Sequence, residues 1–300
     1  MPLRFSLRQL EYLEAVADCG SIAAAAQRAN VSSPSISSAI SQLEADLGLQ
    51  LFVRRHAHGL SPTPAGLQLL AQARRVLAEA SRLVSLAHDV TGEMRGPLNV
   101  GCLLTFAQIV LPLVRRRFVD RFPDVEFRQF ERSQTELIDG LHKASLDIAL
   151  TYDMGLPDDL DFRPLVTLPP YVLIGATHAL AGRKSVTARD LAALPMILLD
   201  LPMSADYFLS IFAKTGLQPR IVERTRDIAV MQSLVANGFG YSLANIRPVP
   251  NRAPDGGALC HIPLTGQHRP LRMGLLQSGS ARSTLVVKTF AEHCRAIIAG

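Results

Sequence analysis

The sequence predicts an α/β chain in three parts: a mostly helical N-terminal unit, one long helix, and a pair of α/β lobes. Three observations predict it. Apolar residues recur at three- and four-residue steps through the N-terminal stretch, the period of amphipathic helices. A seven-residue apolar period then runs from Leu69 to Val90 without an interior proline, as a long paired helix requires. After a short boundary, GEMRGP at 92–97, β-rich apolar runs alternate with helical stretches, the pattern of parallel sheets covered by helices. The expected domains are 1–63, 64–92 and 93–300, the last comprising one lobe of about 97–167 with 270–300 and another of about 168–269.

In the first part, Leu7, Leu10, Leu13, Val16 and Ala17 share one face of a helix over 6–18, which Cys19-Gly20 ends. Ser21 is placed to cap a second, alanine-rich helix at 22–29. Asn30-Val31 makes a turn, Ser32 or Ser33 caps a third helix, and Pro34 fits its first turn, where a missing N–H costs nothing. Ile36, Ile40, Leu43 and Leu47 form its inward stripe. The opposite face offers Ser35, Ser37, Ser38, Ser41 and Gln42, short groups able to meet base edges or phosphate oxygens. Residues 49–53 and 60–63 read as strands around a basic turn, Arg54-Arg55-His56-Ala57-His58-Gly59.

Together these elements make a winged helix-turn-helix, which lays its third helix in the major groove of double-stranded DNA. The wing arginines suit phosphate or minor-groove contact. The expected DNA contacts are Ser21, Ser32, Ser33, Pro34, Ser35, Ser37, Ser38 and Gln42, with Arg54, Arg55 and His56 from the wing. A competing reading is a structural hairpin with a solvated serine face. His56 and His58 read as a solvated loop, because no Cys or further His lies close by for a metal. Residues 1–92 hold eight basic and seven acidic side chains, and the whole chain has a formal charge of +5. The expectation therefore rests on where Arg54 and Arg55 sit, not on bulk charge.

These residues resemble the LysR-type transcriptional regulators. The likeness is close over about the first 66 positions, through LRQLEYLEAVADCGSIAAAAQRANVSSPSISSAISQLEADLGLQLFVRR and LSPTPAG. It is carried by Leu10, Ser21, Ala25-Ala26, Pro34, Ile40, Leu43-Glu44, Leu51-Phe52, Arg54 and Gly66, among others. The family often has Gln where Ser33 stands and a basic residue near Ser38 or Gln42; here those positions are short or neutral. Adenine reading by a glutamine is thus not carried over.

Leu69, Ala73, Val76, Ala80, Leu83, Ala87 and Val90 repeat at alternating four- and three-residue steps, widened by Leu70, Leu77 and Val84. About 27 residues at 1.5 Å each give a rod of roughly 40 Å. A core helix is the competing reading; the sustained heptad favours a partner helix, and so a homodimer. The resemblance implies that this linker helix dimerises the protein, that tetramers bend DNA, and that RNA polymerase is a further partner.

In the last part, strand candidates are 98–103, 125–130, 146–151, 171–175, 196–200, 220–224, 241–243 and 271–276. Helix candidates are 106–121, 134–144, 187–193, 205–215, 227–237 and 282–299. The resemblance implies two lobes like a periplasmic binding protein, closing on a small effector, with the C-terminal strand and helix returning to the first lobe. Such a cleft collects carboxyl ends of strands and amino ends of helices, where free N–H groups favour an anionic ligand. The positions expected there are Thr105, Ser133, Gln134, Thr151 and Tyr152 from the first lobe. From the second come Pro202, Met203, Ser204, Arg226 and Asp227. Each has a routine alternative as a helix cap or sheet neighbour.

Other classes fare poorly. Uncharged stretches at 96–114, 165–182 and 228–246 approach membrane-span length but hold Pro, Gly and polar residues, so they read as core. No secretory leader pattern opens the chain. Cys19, Cys102, Cys260 and Cys294 lack motif spacing, which fits a reduced cytoplasm, with thiol redox sensing a minor reading. There is no G-x-S-x-G, P-loop or H-E-x-x-H, and Leu243 stands where a dinucleotide loop begun by Gly238-Phe239-Gly240 needs glycine. The expectation is no enzyme, cofactor or metal. The alternative is a solute-binding or enzymatic α/β protein whose helical hairpin dimerises without touching DNA.

Overall fold

A computed structural model describes residues 4–55, 59–248, 250–279 and 283–298, the Arg55 side chain excepted. The chain forms two compact units, Met1–Glu93 with His142–Ser145, and Met94–Leu141 with Leu146–Gly300.

The first unit runs α1 (Leu7–Cys19), α2 (Ile22–Ala29), α3 (Ser33–Leu47), β1 (Phe52–Arg55), β2 (Gly59–Pro62) and α4 (Pro64–Thr91). Ser6 and Gln9 form a reciprocal capping box that starts α1. Gly20, Asn30 and Gly48, at φ 67, 52 and 66, end the three helices in the left-handed region. The apolar faces of α1, α2 and α3 bury Leu13, Val16, Ala25, Ile36 and Leu43, and Leu51 and Phe52 close that core from the wing side. β1 and β2 pair antiparallel, with Arg55 opposite Gly59.

The first wing strand begins three residues later than expected. Leu51 N donates to the Glu44 carboxylate at 2.7 Å, a bond that ties the wing to α3 instead of extending a ladder. A Cβ at Gly66 would lie 2.1 Å from the Leu51 carbonyl oxygen. Only glycine allows α4 to start that close to the wing.

The second unit begins with β3 (Gly96–Leu103), α5 (Leu104–Ile109), α6 (Leu111–Arg121), β4 (Val125–Arg132), α7 (Gln134–His142), β5 (Ile148–Tyr152) and β6 (Leu160–Leu168). The second lobe holds β7 (Tyr171–Gly175), β8 (Val186–Thr187), α8 (Ala188–Leu191), β9 (Pro195–Leu199), α9 (Ser204–Ala213), β10 (Arg220–Thr225), α10 (Ile228–Ala236), β11 (Ser242–Ala244) and β12 (Leu259–Thr265). β13 (Leu271–Ser278) and α11 (Leu285–Ile298) then return to the first lobe. Its strand order is β4-β3-β5-β13-β6, and that of the second lobe is β11-β7-β12-β8. A separate β9–β10 pair joins β11 through the Met196–Tyr241 bridge.

Three differences from the sequence expectation have physical causes. The sheets are mixed, not parallel: β13 runs antiparallel to β5 and β6, and β7 antiparallel to β11 and β12. β13 arrives from the second lobe and inserts between β5 and β6 against the direction of both, while β6 keeps the direction of β3, β4 and β5. The helix expected over 106–121 breaks at Val110, because Pro112 lacks an N–H and sits instead in the first turn of α6. Finally, β6, β8 and β12 were not anticipated. Pro164 and Pro263 interrupt two of them and β8 is only two residues long. Among the described residues, no helix is long and apolar enough to cross a membrane.

Candidate nucleic-acid interface and interlobe cleft

Helix α3 is divided lengthwise. Ile36, Ile40 and Leu43 are 0%, 7% and 0% exposed, while Pro34, Ser35, Ser37, Ser38, Ser41 and Gln42 face water. Ser32 is the cap: its Oγ accepts from Ser35 N at 3.3 Å and lies 2.7 Å from Ser35 Oγ. Ser33 is the first helical residue and half-buried. Ser21 is used as the cap of α2, accepting from Ala24 N at 3.1 Å. Gln42 Nε2 donates along the helix to Asp46 Oδ1 at 3.0 Å. No acidic residue occupies the first turn of α3, so its positive dipole end is unopposed by a local carboxylate.

Three other arginines of this unit are paired internally. Arg74 bridges Glu14 and Asp18 at 3.0 and 2.5 Å, Arg28 meets Asp18 at 3.1 Å, and Arg82 meets Glu79 at 2.8 Å. Arg54 is exposed on β1 without an ion pair among the described residues. The Arg55 side chain and His56 lie outside the described residues.

The heptad face of α4 divides as well. Ala73 is 3% exposed against its own unit, with Leu69 packed on the same core. These two positions therefore pack on the subunit's own core. Further along, Leu83 is 71% exposed and Val90 82%, and Val76 and Ala87 also face water, with Ala80 half-buried.

Between the lobes lies a cavity of about 250 Å³. Thr105, Ser133, Gln134 and Tyr152 reach it from the first lobe, and Pro202 and Ser204 from the second. Four other expected residues do not line it. Thr151 is fully buried beneath, where its hydroxyl donates to Gln134 Oε1. Met203 turns the chain at φ 66 and lays its methyl against Gly155. Asp227 is spent capping α10, accepting from Ala229 N and Val230 N at 2.7 and 3.2 Å. Arg226 is exposed, one residue before that cap and off the wall.

Most of the wall was not anticipated, because Leu103, Leu199, Phe208, Ile228, Leu243 and Ile246 read as ordinary core in sequence. Asn245 was missed too: its Nδ2 donates to Leu168 O at 2.9 Å. A readable signal existed in Ser133-Gln134-Thr135-Glu136, which has capping-box spacing. Ser133 N and Oγ both donate to Glu136 Oε2, at 2.9 and 2.7 Å. Those bonds hold the Glu136 carboxyl below the usual range. The chain's own carboxylate thus stands at the start of α7, the end of the helix that favours an anion. Gln134 is fully committed as well, with Nε2 donating to Tyr152 O and Met154 O at 3.1 and 2.9 Å.

The crossings between lobes are clamped. Buried Asp153 accepts from Arg272 N and Nε at 2.8 and 2.7 Å, and also from Arg269. Burial pushes the Asp153 carboxyl up, but these bonds outweigh it and leave the group below its ordinary value. From α9, Tyr207 Oη donates to Arg269 O at 2.8 Å. Elsewhere in this unit burial pushes the Cys102 thiol up and the Cys294 thiol to about 12, so both stay protonated and are weak nucleophiles.

Residues 7–67 match the family model described as bacterial regulatory helix-turn-helix protein, lysR family, and residues 91–298 match the LysR substrate binding domain. The chain is 27% identical to the transcriptional activator protein LysR of Escherichia coli, over 97% of this chain and 93% of that protein. It is 30% identical to the HTH-type transcriptional regulator CysB of Haemophilus influenzae, over 79% of this chain and 74% of the relative. Among solved structures it is similar to HinK, a LysR family transcriptional regulator from Pseudomonas aeruginosa, with 32% identity, 98% of each chain covered and a TM-score of 0.66.

Proposed function

This chain belongs to the LysR family of bacterial transcriptional regulators, and we propose that residues 1–63 read DNA, 64–92 dimerise, and 93–300 sense a small organic effector. The carrying observation is the division of α3: an aliphatic face locked inside and a hydroxyl-bearing face left to water. In this reading Ser32, Ser33, Pro34 and Ser35 approach the phosphates at the helix start, Ser37, Ser38 and Gln42 meet base edges, and Ser21 holds the turn behind them. Arg54, Arg55 and His56 rest on the flanking backbone. The far half of α4, from Val76 through Ala80, Leu83 and Ala87 to Val90, carries the partner helix. Association removes those side chains from water at roughly 25 cal/mol per Å². Paired subunits present two α3 helices to half-sites one DNA turn apart, and dimers assemble further into tetramers.

The effector occupies the interlobe cleft at Thr105, Tyr152, Pro202 and Ser204. A ligand with higher affinity for one closure state shifts the lobes, and linkage carries that bias to the DNA-bound form. Asp153 and Tyr207, which hold the crossings, set the resting state. The relatives named above are transcriptional regulators; no reaction or cofactor is assigned to this chain, and its setting is the cytoplasm.

Selection of duplexes from a random pool by the full chain tests the reading. Enrichment of a two-part site is expected, and Arg54→Ala should flatten the salt dependence of binding by about one unit for the lost phosphate contact. An unenriched pool at low salt, or an unchanged slope, contradicts it.

A further inference from the structure

We infer that the interlobe cleft takes an uncharged, largely apolar ligand with one or two hydrogen-bonding groups, and discriminates against carboxylates. This rests on the cleft being the effector site and names the chemistry it accepts. The anion-binding positions of an α/β cleft are helix N-termini. Each helix of eight or more residues that puts a side chain into this wall already carries a carboxylate at its start. Glu136 holds that place on α7, bonded twice to Ser133. Asp227 holds it on α10, and Asp206 stands in the first turn of α9. The rim adds Glu131 and Arg132 beside Glu136, a net charge of one negative. The Arg132 guanidinium is turned to its own strand, 5.9 Å from the Phe130 ring centre and 3.2 Å from Glu131 O. An entering carboxylate meets like charge without a desolvated cation to pair with.

The interior of the cavity sets the rest. Its walls are mostly the aliphatic and aromatic side chains of both lobes, which reward burial of apolar surface. Gln134 and Ser133 are committed, as shown above. Among the described residues, the hydroxyls of Thr105, Tyr152 and Ser204 line the space without a hydrogen-bond partner in the protein. Tyr152 is only 7% exposed, with Phe106 edge-on at 4.6 Å, and burial pushes its phenol far up. It therefore stays protonated and offers a neutral O–H to a carbonyl, hydroxyl or ring nitrogen. These three hydroxyls open to the cavity, where a ligand's polar group can pair with them.

The chain contains no tryptophan, so a fluorescent indole can be followed directly by exciting beyond the tyrosine band. Indole, methyl indole-3-carboxylate and indole-3-carboxylate are titrated against the full-length protein and against Ser204→Phe, which fills the cavity. The inference expects saturable binding of a neutral probe, carboxylate binding at least about tenfold weaker, and loss of binding in Ser204→Phe. Glu136→Gln should narrow the gap between ester and acid to about threefold or less. A carboxylate that binds as tightly as its ester, with that binding lost in Ser204→Phe, overturns the charge rule and leaves the cleft as the effector site. Binding that survives Ser204→Phe overturns the cleft assignment itself. Failure of both neutral probes to bind at millimolar concentration, or a gap that Glu136→Gln leaves intact, overturns the inference.

Discussion

Two helices of this molecule begin at a serine, and in the proposed reading they face opposite kinds of partner. Helix α3 starts at Ser32-Ser33-Pro34-Ser35, and its neutral cap is met by another serine. Helix α7 follows Ser133-Gln134-Thr135-Glu136, where the residue three positions on is a carboxylate that takes both donors of Ser133. The positive end of a helix is a general attractor of anions. In the proposed reading α3 leaves it open toward phosphate, whereas in α7 the chain's own carboxylate stands beside it. On that reading one residue, Ser35 against Glu136, separates an anion-facing surface from an anion-averse one. Helix polarity alone therefore does not identify an anion site; the residue filling the first turn has to be read with it.

The largest predicted effect concerns how α3 is presented. Leu83→Asp places a charge on a position now 71% exposed, so the subunit should still fold while the pairing of α4 is lost. Sedimentation should show monomers, and affinity for a two-part site should fall by about a hundredfold or more, as the second contact ceases to be intramolecular. An intact dimer contradicts the assignment of α4. A smaller effect sharpens the comparison directly. Ser32→Asp gives α3 the kind of start that α7 has. Thermal stability should hold, since Asp caps as well as Ser, while DNA affinity should drop by about three- to tenfold through charge at the phosphate-facing end. Equal affinity would mean that the start of α3 does not approach the backbone.

The smallest effect is a pH dependence within the second lobe. His261 packs on Tyr171 with ring centres 5.1 Å apart, and neither ring nitrogen has a hydrogen-bond partner among the described residues. Burial, aided by the charge of Arg247, lowers its pKa from 6.5 to about 4. Below pH 6.5 the unfolded chain binds a proton that the folded one refuses until about 4. Stability should thus be unaffected by this group above 6.5, decline as pH falls through that window, and level off below it. Urea titrations of the wild type and His261→Gln check this, and identical slopes across the window would show that His261 does not contribute.

How much of this was legible beforehand depends on how local each interaction is. The helix ends of the first unit are written in Ser21, Ser32 and Gly20, and the inward stripe of α3 follows from spacing alone. The end-points of α2 and α4 match the expected ranges for the same reason. The seam on α4 was only half legible, because a heptad does not say which positions, such as Ala73, its own domain will claim first. In the cleft, Thr105, Tyr152 and Ser204 were named because they sit at junctions of strand and helix. Ile228 and Leu243 are brought together from segments that do not touch in sequence, and an apolar residue at a strand end is indistinguishable there from core. Asp227 and Arg226 were misplaced because a capping aspartate looks the same whether its helix faces a ligand or water. β6 and β12 were hidden by Pro164 and Pro263; β6 accommodates its proline on the sheet edge beside a register shift at Met273 and Gly274.

The most direct test of the account is a single carboxylate on the exposed side of α3. Ser37→Glu leaves Ile36 and Ile40 in place and adds charge only where the duplex is expected. Fluorescence anisotropy with the duplex selected by the wild-type chain should show affinity reduced by about tenfold or more at moderate salt, with the dimer and its thermal stability unchanged. Undiminished binding by a folded Ser37→Glu dimer would mean that this face of α3 does not meet DNA.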